Sequence, residues 1–253
     1  MPDRRTKVAI FGFTQHNFFG PWADDSWELF GLNDLYHIFN AHDPKLLASG
    51  RVRWFQLHQE DAINGQAFAT GARAPDHVRW LQQAPCPVYM WHPKPEYPTS
   101  VAYPLLQVLD AFPRRYFNNS ISWQIALAIL EGFQTIGLFG VDMALDGVHG
   151  ESEYSWQRPS VEYFIGIAEG RGIEVVIPEE SELLRCGYLY GWDNVSILRQ
   201  KMLARLQQLD AQEVETVNQY EAVKRQLYEV RGAKQKTQWV LRNYMPGDGP
   251  VQD

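Results

Sequence analysis

Cysteine is almost missing from this chain: Cys86 and Cys186 are the only two in 253 residues. Two thiols build no disulfide framework, and neither stands in a pair spaced like a zinc knuckle, so both are expected to be buried thiols. No apolar run approaches the roughly 20 residues of a bilayer-spanning helix. Met1-Pro2-Asp3-Arg4-Arg5 leads into an apolar stretch without a signal-peptide core. An intracellular, cytoplasmic setting is the expectation. Basic charge is also short, with 23 Lys and Arg against 30 Asp and Glu. That argues against a broad face for nucleic acid, because such binding grows with the phosphates neutralised. Arg51, Arg53, Arg114 and Arg115 leave room only for a local basic pocket.

Several familiar signatures are absent as well. Gly12-Phe13-Thr14 and Gly137-Leu138-Phe139-Gly140 lack the clustered glycines, Lys and Ser or Thr of a phosphate loop, and there is no dinucleotide fingerprint or nucleophile elbow. His37, His42 and His58 are scattered and have no zinc-site spacing. Asp142 and Asp146 are the acidic residues nearest to a metal reading, but nothing requires a metal. No tightly bound cofactor is expected.

What is present is enough apolar material for one large core: 45% of residues are hydrophobic, and a chain of this size buries about three quarters of its unfolded surface. The 9 Trp, 12 Tyr and 13 Phe serve as core filler or line a cleft. Short apolar runs at 8–13, 27–32, 52–57, 88–91, 135–141 and 173–177 read as strands. Several end in a polar side chain: Asn33 after the second, His58 after the third, His92 after the fourth, Asp142 after 135–141. Helices are expected at 76–83, 100–112, 120–131, with Gly132 as terminator, and 160–170.

Helices alternating with buried strands imply an α/β fold, a Rossmann-like, mostly parallel sheet flanked by helices, over residues 1–192. Ligands of such sheets bind beyond the carboxyl ends of the strands. Gly12, Thr14, Asn33 and Asp142 therefore become candidate nucleotide contacts, with His58 and His92 as further walls. Asn118-Asn119-Ser120 opens the helix at 120–131 and offers a cap and free N–H groups to an anion. From Asp142 to about residue 159 a polar loop carries Asp146, His149, Glu151, Glu153, Tyr154, Gln157 and Arg158. Residues 193–245 form an amphipathic extension, with Leu198, Met202, Leu206, Leu209, Val214, Val217, Tyr220, Val223, Leu227 and Val230 at spacings of mostly three or four. This is a pair of long helices or one bent helix, packing back on the first domain or joining copies of the chain into a homo-oligomer. Residues 246–253 read as a disordered tail.

The stretch Asn119-Ser120-Ile121-Ser122, through Ala126-Leu127-Ala128 and Gly132-Phe133, to Ile136-Gly137-Leu138-Phe139-Gly140-Val141-Asp142 resembles the central segment of bacterial sialyltransferases and the related motility-associated glycosyltransferase-like proteins. Gly31-Leu32-Asn33-Asp34-Leu35-Tyr36 also resembles their segment in which an Asn after the second strand contacts the nucleotide. The likeness covers about a third of the chain. It implies nucleotide or phosphate contacts at Asn33, Asn119 and Ser120, and makes His149 the candidate base for an acceptor hydroxyl. It further implies a direct, inverting displacement without an essential metal. The first loop, Gly12 to Asn17, departs from the family's Gly-, Asn- and Ser-rich pattern, which leaves the donor sugar open.

Physical chemistry fits those roles: a neutral imidazole accepts a proton near neutral pH, and Tyr154 or Arg158 would stabilise charge on a leaving phosphate. The expected function is transfer of a sugar from a nucleotide-activated donor substrate to the hydroxyl of a small molecule or glycan. The alternatives are a nucleotide- or DNA-base-modifying enzyme on the same scaffold, and a non-catalytic oligomeric assembly protein.

Overall fold

Along the first strand Val8 and Ile10 pack into one apolar cluster and Ala9 and Phe11 into another, all four fully buried. Such two-sided burial marks the middle of a sheet covered on both faces. The computed structural model describes residues 5–58, 74–143, 153–186, 189–192 and 195–244. Within them, one sheet contains β1 (Lys7–Phe11), β2 (Trp27–Leu32), β3 (Val52–Phe55), β4 (Val88–Met90), β5 (Ser100–Ala102), β6 (Thr135–Phe139) and β7 (Glu174–Val176). Every neighbouring pair is parallel, in the order β5-β4-β3-β2-β1-β6-β7. The chain steps outward from β1 to β5, then returns to place β6 on the other side of β1. The strand order therefore reverses between β1 and β6.

On the face of Ala9, Phe11, Leu29 and Trp54 lie α1 (Tyr36–His42) and α2 (Ala74–Gln83), contributing Tyr36, Phe39 and Leu81. The other face is covered by α3 (Leu105–Ala111), α4 (Ser120–Leu130) and α5 (Glu153–Gly170), through Val108, Ile125 and Phe164. Helix α4 has no charged residue and is buried almost all round, as its sequence SISWQIALAIL demands between a sheet and another helix. It ends where Gly132, at φ +78°, lets its N–H reach Ile129 O and that of Phe133 reach Ala128 O. The end of α5 repeats the motif, with Gly172 at φ +76°, Gly172 N–H on Glu169 O and Ile173 N–H on Ala168 O. Both turns spend the last helical carbonyls and pack a C″ apolar side chain, buried Phe133 and half-buried Ile173, just before β6 and β7.

The structure departs from the sequence reading in several places. Residues 100–112 are a strand followed by a helix, because Pro104 has no N–H and pushes Tyr103 toward extended backbone, so α3 starts only at Leu105. Helix α5 begins at Glu153 and carries Pro159 inside it; the proline costs one backbone hydrogen bond rather than starting the helix. Cys186 is exposed, whereas Cys86 is buried and its thiol is pushed up to about 12 by burial.

Contacts divide the chain into residues 1–185 and 186–253. In the second unit a single uninterrupted helix, α6 (Val195–Tyr244), replaces the expected pair or bent helix. Residues 246–253 lie outside the described residues. Among those described, no helix is long and apolar enough to cross a membrane.

Candidate functional site

The central strands β1 and β6 both leave the sheet through glycine. A Cβ on Gly12 would stand 2.2 Å from Gly140 O, and one on Gly140, at φ +72°, would stand 2.7 Å from Gly12 O and 2.9 Å from Thr14 O. Only glycine permits this approach. It lets Gly12 N–H donate to Phe139 O and Thr14 N–H to Gly140 O. The chain then makes a short 3-10 turn, Gln15–Phe19. Buried Asn17 holds the turn, its amide donating to Gly12 O and its carbonyl accepting from the Trp22 indole. The first loop is thus pinned across the end of β6.

That pinning sets His16 against Asp142, with His16 Nδ1 2.7 Å from Asp142 Oδ2 and the two side chains 20% and 9% exposed. The atoms are close, but Nδ1 makes no aligned hydrogen bond. Catalytic contacts in unliganded sites often straighten only when substrate binds. A carboxylate at Nδ1 favours the tautomer whose Nε2 is free to accept a proton. In the sequence His16 reads as an ordinary loop residue. Its pairing with Asp142, 126 positions on, becomes visible only once β1 and β6 are known to be neighbours.

Unpartnered polar atoms collect at this edge of the sheet. Among the described residues, Thr14 Oγ1, Asn33 Oδ1, Gln124 Oε1 and Asp142 Oδ1 are buried without a hydrogen-bond partner; Thr99 Oγ1 and Arg51 Nε are similar cases elsewhere. Each such atom costs about 1–3 kcal/mol unless something satisfies it, so their clustering marks a place for a polar ligand. Asn33 directly follows β2 at φ +50°, fixed by its N–H on Phe55 O and its carbonyl on Trp54 Nε1. Gln124 reaches from α4 to donate to Gly31 O at the end of β2. Met143, just after Asp142, also has φ +50°. Such strain tends to be retained at functional sites.

The start of α4 lies at the same edge, since helices of a parallel sheet run back against the strands. Asn119 is the cap, its Oδ1 accepting from Ser122 N–H at 2.9 Å. Its amide nitrogen donates to Asn118 Oδ1 and Gln157 O, while the Asn118 amide donates to Trp156 O. The Asn119 side chain is therefore committed to the cap and to α5. What this helix start offers a ligand is the rest of its first-turn N–H groups, at half-buried Ser120 and beyond. Arg158 ion-pairs with Glu162 at 2.7 Å and donates to Glu182 O, which ties α5 to the following loop. Tyr154 is on the first turn of α5, but its side chain lies outside what is described, and His149, Asp146 and Glu151 lie outside the described residues.

One strand further out, His77 Nε2 meets Gln56 Oε1 at 2.8 Å, and Gln56 Nε2 stands 3.5 Å from His58 Nδ1. Burial pushes His77 down to about 4; it is a neutral core group. His92 is exposed beyond β4.

Two of the four arginines of the nucleic-acid reading are spent at the opposite, amino edge. Arg51 is buried and donates to the carbonyls of Trp22, Asp24 and Trp27. Arg53 lies between Glu28 and Glu131, with Nη1 2.8 and 2.9 Å from the two Glu131 oxygens. Burial opposes its charge, but the two carboxylates outweigh that and hold it above its ordinary pKa. Glu28 is itself raised by burial despite Arg53. Arg114 and Arg115 remain exposed.

No family profile and no curated protein matches this sequence. Among solved structures the chain is similar to the sialyltransferase CST-II in complex with a trisaccharide acceptor and CMP, at 14% identity and a TM-score of 0.40, covering 68% of this chain and 80% of that one. It is also similar to the sialyltransferase CstII from Campylobacter jejuni in complex with the substrate analogue CMP-3FNeuAc, at 16% identity and a TM-score of 0.38, covering 68% and 79%. Likeness at this level assigns no role to any residue.

Proposed function

We propose that this chain is a glycosyltransferase-like enzyme that moves a sugar from a nucleotide-activated donor to an acceptor hydroxyl. The observation that carries the reading is the gathering of the His16–Asp142 pair with unpartnered Thr14, Asn33 and Gln124 oxygens where the strand order reverses. Open parallel sheets bind their ligands at that point. The resemblance at 119–142 and 31–36 supports a nucleotide as the ligand.

In this mechanism Asn33 and Gln124 accept hydrogen bonds from the nucleoside, and the leaving phosphate faces the first turn of α4 at Ser120. The acceptor oxygen attacks the anomeric carbon, the bond from that carbon to the phosphate oxygen breaks, and the nucleotide departs with the electron pair. The hydroxyl proton passes to His16 Nε2 while Asp142 holds Nδ1 and balances the imidazolium charge. His149 is the alternative base, suggested by the resemblance, and Tyr154, or Arg158 once released from Glu162, would meet charge on the leaving group.

A panel of nucleoside mono- and diphosphates and their sugar conjugates, screened by thermal shift, tests the reading. At least one should raise the melting temperature, and Asn33→Ala should remove the shift. With the ligand known, His16→Gln should leave binding intact and lower turnover by about 10²–10⁴. Loss of turnover in His149→Ala but not in His16→Gln would move the base to His149. If no member of the panel binds, the proposal fails.

A further inference from the structure

We propose that α6 pairs antiparallel with α6 of a second copy of this chain, in one register centred on residue 225. The helix spans 50 residues, and Leu206, Leu209, Tyr220, Val223, Leu227, Val230, Leu241 and Tyr244 on it are all exposed. Their positions obey a seven-residue repeat. One seam series runs Leu206, Glu213, Tyr220, Leu227, Lys234, Leu241, and the other Leu209, Thr216, Val223, Val230, Thr237, Tyr244. A repeat of seven is the signature of helices wound on one another. The polar members come together: Glu213 with Thr216 in the first half, Lys234 with Thr237 in the second.

Those polar interruptions select the partner's direction. In parallel, in-register pairing, Glu213 would face the partner's Glu213 and Lys234 the partner's Lys234, like charges inside a seam. Antiparallel pairing about residue 225 instead sets Leu206 against the partner's Tyr244, Leu209 against the partner's Leu241, Tyr220 against the partner's Val230 and Val223 against the partner's Leu227. Glu213 then meets the partner's Thr237, and Thr216 the partner's Lys234, one turn apart, so that Glu213 and the partner's Lys234 lie within reach. Every apolar layer coincides with an apolar layer. Sliding by one heptad either way puts Leu227 on a threonine or Tyr220 on one and breaks the match.

The charge pattern along the whole helix, seam and flanks together, agrees. Asp210, Glu213, Glu215 and Glu221 have no basic residue among them, whereas residues 222–244 carry Lys224, Arg225, Arg231, Lys234, Lys236 and Arg242 against Glu229 alone. Antiparallel pairing lays the acidic block on the partner's basic block, which sets orientation as flanking charges do in paired helices. The overlap is residues 206–244 of each copy, about 58 Å of helix. The occupant of this face is thus a second copy of the chain, and the inference is independent of the proposed chemistry.

The test uses the full chain with Cys186→Ser, so that exposed native thiol does not interfere. Sedimentation should give a dimer, and chains carrying Leu209→Cys mixed with chains carrying Leu241→Cys should cross-link on mild oxidation, whereas Leu209→Cys alone should not. In one straight helix the two positions are about 48 Å apart. Glu213→Lys and Lys234→Glu should each weaken the dimer by about tenfold or more, and the double exchange should restore it. A monomer at every concentration, a 209-to-209 cross-link, or no rescue by the double exchange overturns the proposal. Binding of nucleic acid or acidic vesicles by a monomeric chain through its basic block would do the same.

Discussion

Gly140→Ala is the substitution that most sharply probes how the candidate site is built. Two costs add there. Alanine at φ +72° is disfavoured by about 1–2 kcal/mol. Its methyl would also meet Gly12 O at 2.7 Å, Asn17 Cβ at 2.8 Å and Thr14 O at 2.9 Å, atoms of a loop that cannot yield without losing the Thr14 N–H bond to Gly140 O. Overpacking of this kind adds about 1–3 kcal/mol. Gly132→Ala is the internal control, since Gly132 has φ +78° but nothing within 4 Å of a Cβ; it should lose only the first term. Urea unfolding followed by near-ultraviolet circular dichroism, which reports on packed rings of the sheet, should give a loss of about 2–5 kcal/mol for Gly140→Ala and about 1–2 kcal/mol for Gly132→Ala. Against a typical domain stability of about 5–15 kcal/mol the first is severe. The Gly140 variant should also lose nucleotide affinity, because the displaced loop carries Thr14 and His16, while the Gly132 variant keeps it. Equal losses at the two positions would refute the close approach of the β1 and β6 ends, and with it the geometry that joins His16 to Asp142.

Other consequences follow from buried groups. Arg53→Met should destabilise the sheet by about 3 kcal/mol near neutral pH by leaving Glu28 and Glu131 facing each other, and the deficit in urea midpoint should shrink in acid as those carboxyls protonate. His77 titrates at about 4 in the folded chain, chiefly through burial, against 6.5 as its ordinary value. Its stabilisation is complete above about pH 6.5 and is lost as pH falls toward about 4, worth about 3 kcal/mol, and His77→Gln should flatten that part of the stability profile. An aromatic disulfide reagent should label Cys186 at once in the native chain and Cys86 only on unfolding, since Cys86 is buried with its thiol pushed up to about 12; rapid labelling of both would contradict that burial.

Much of the sheet was legible because its strands are short, apolar and bounded by Asn33, His58, His92 and Asp142, and because buried parallel strands read as continuous apolar runs. Helix α4 was legible for the same reason, with Asn119 before it and Gly132 after it. The strand Ser100–Ala102 was hidden, as three residues without alternation merge into the helix that follows Pro104. The expectation that Cys186 is buried fails, since rarity of cysteine says nothing of its exposure. The site was legible only in part. Strand ends pointed to Gly12, Thr14, Asn33 and Asp142, but which ends are neighbours depends on strand order, so the His16–Asp142 pair was out of reach. Asn119 and Arg158 show the converse: both looked available in sequence, and both are engaged in holding α5 in place.

Hydrogen exchange of the chain with and without the nucleotide that most raises its melting temperature tests the central claim most directly. Binding at the reversal point predicts protection at residues 12–17, 33–35, 119–124 and 140–143, with the amino edge around Arg51 and Arg53 unchanged. Protection confined to the amino edge, or no nucleotide-dependent protection at all, would contradict it.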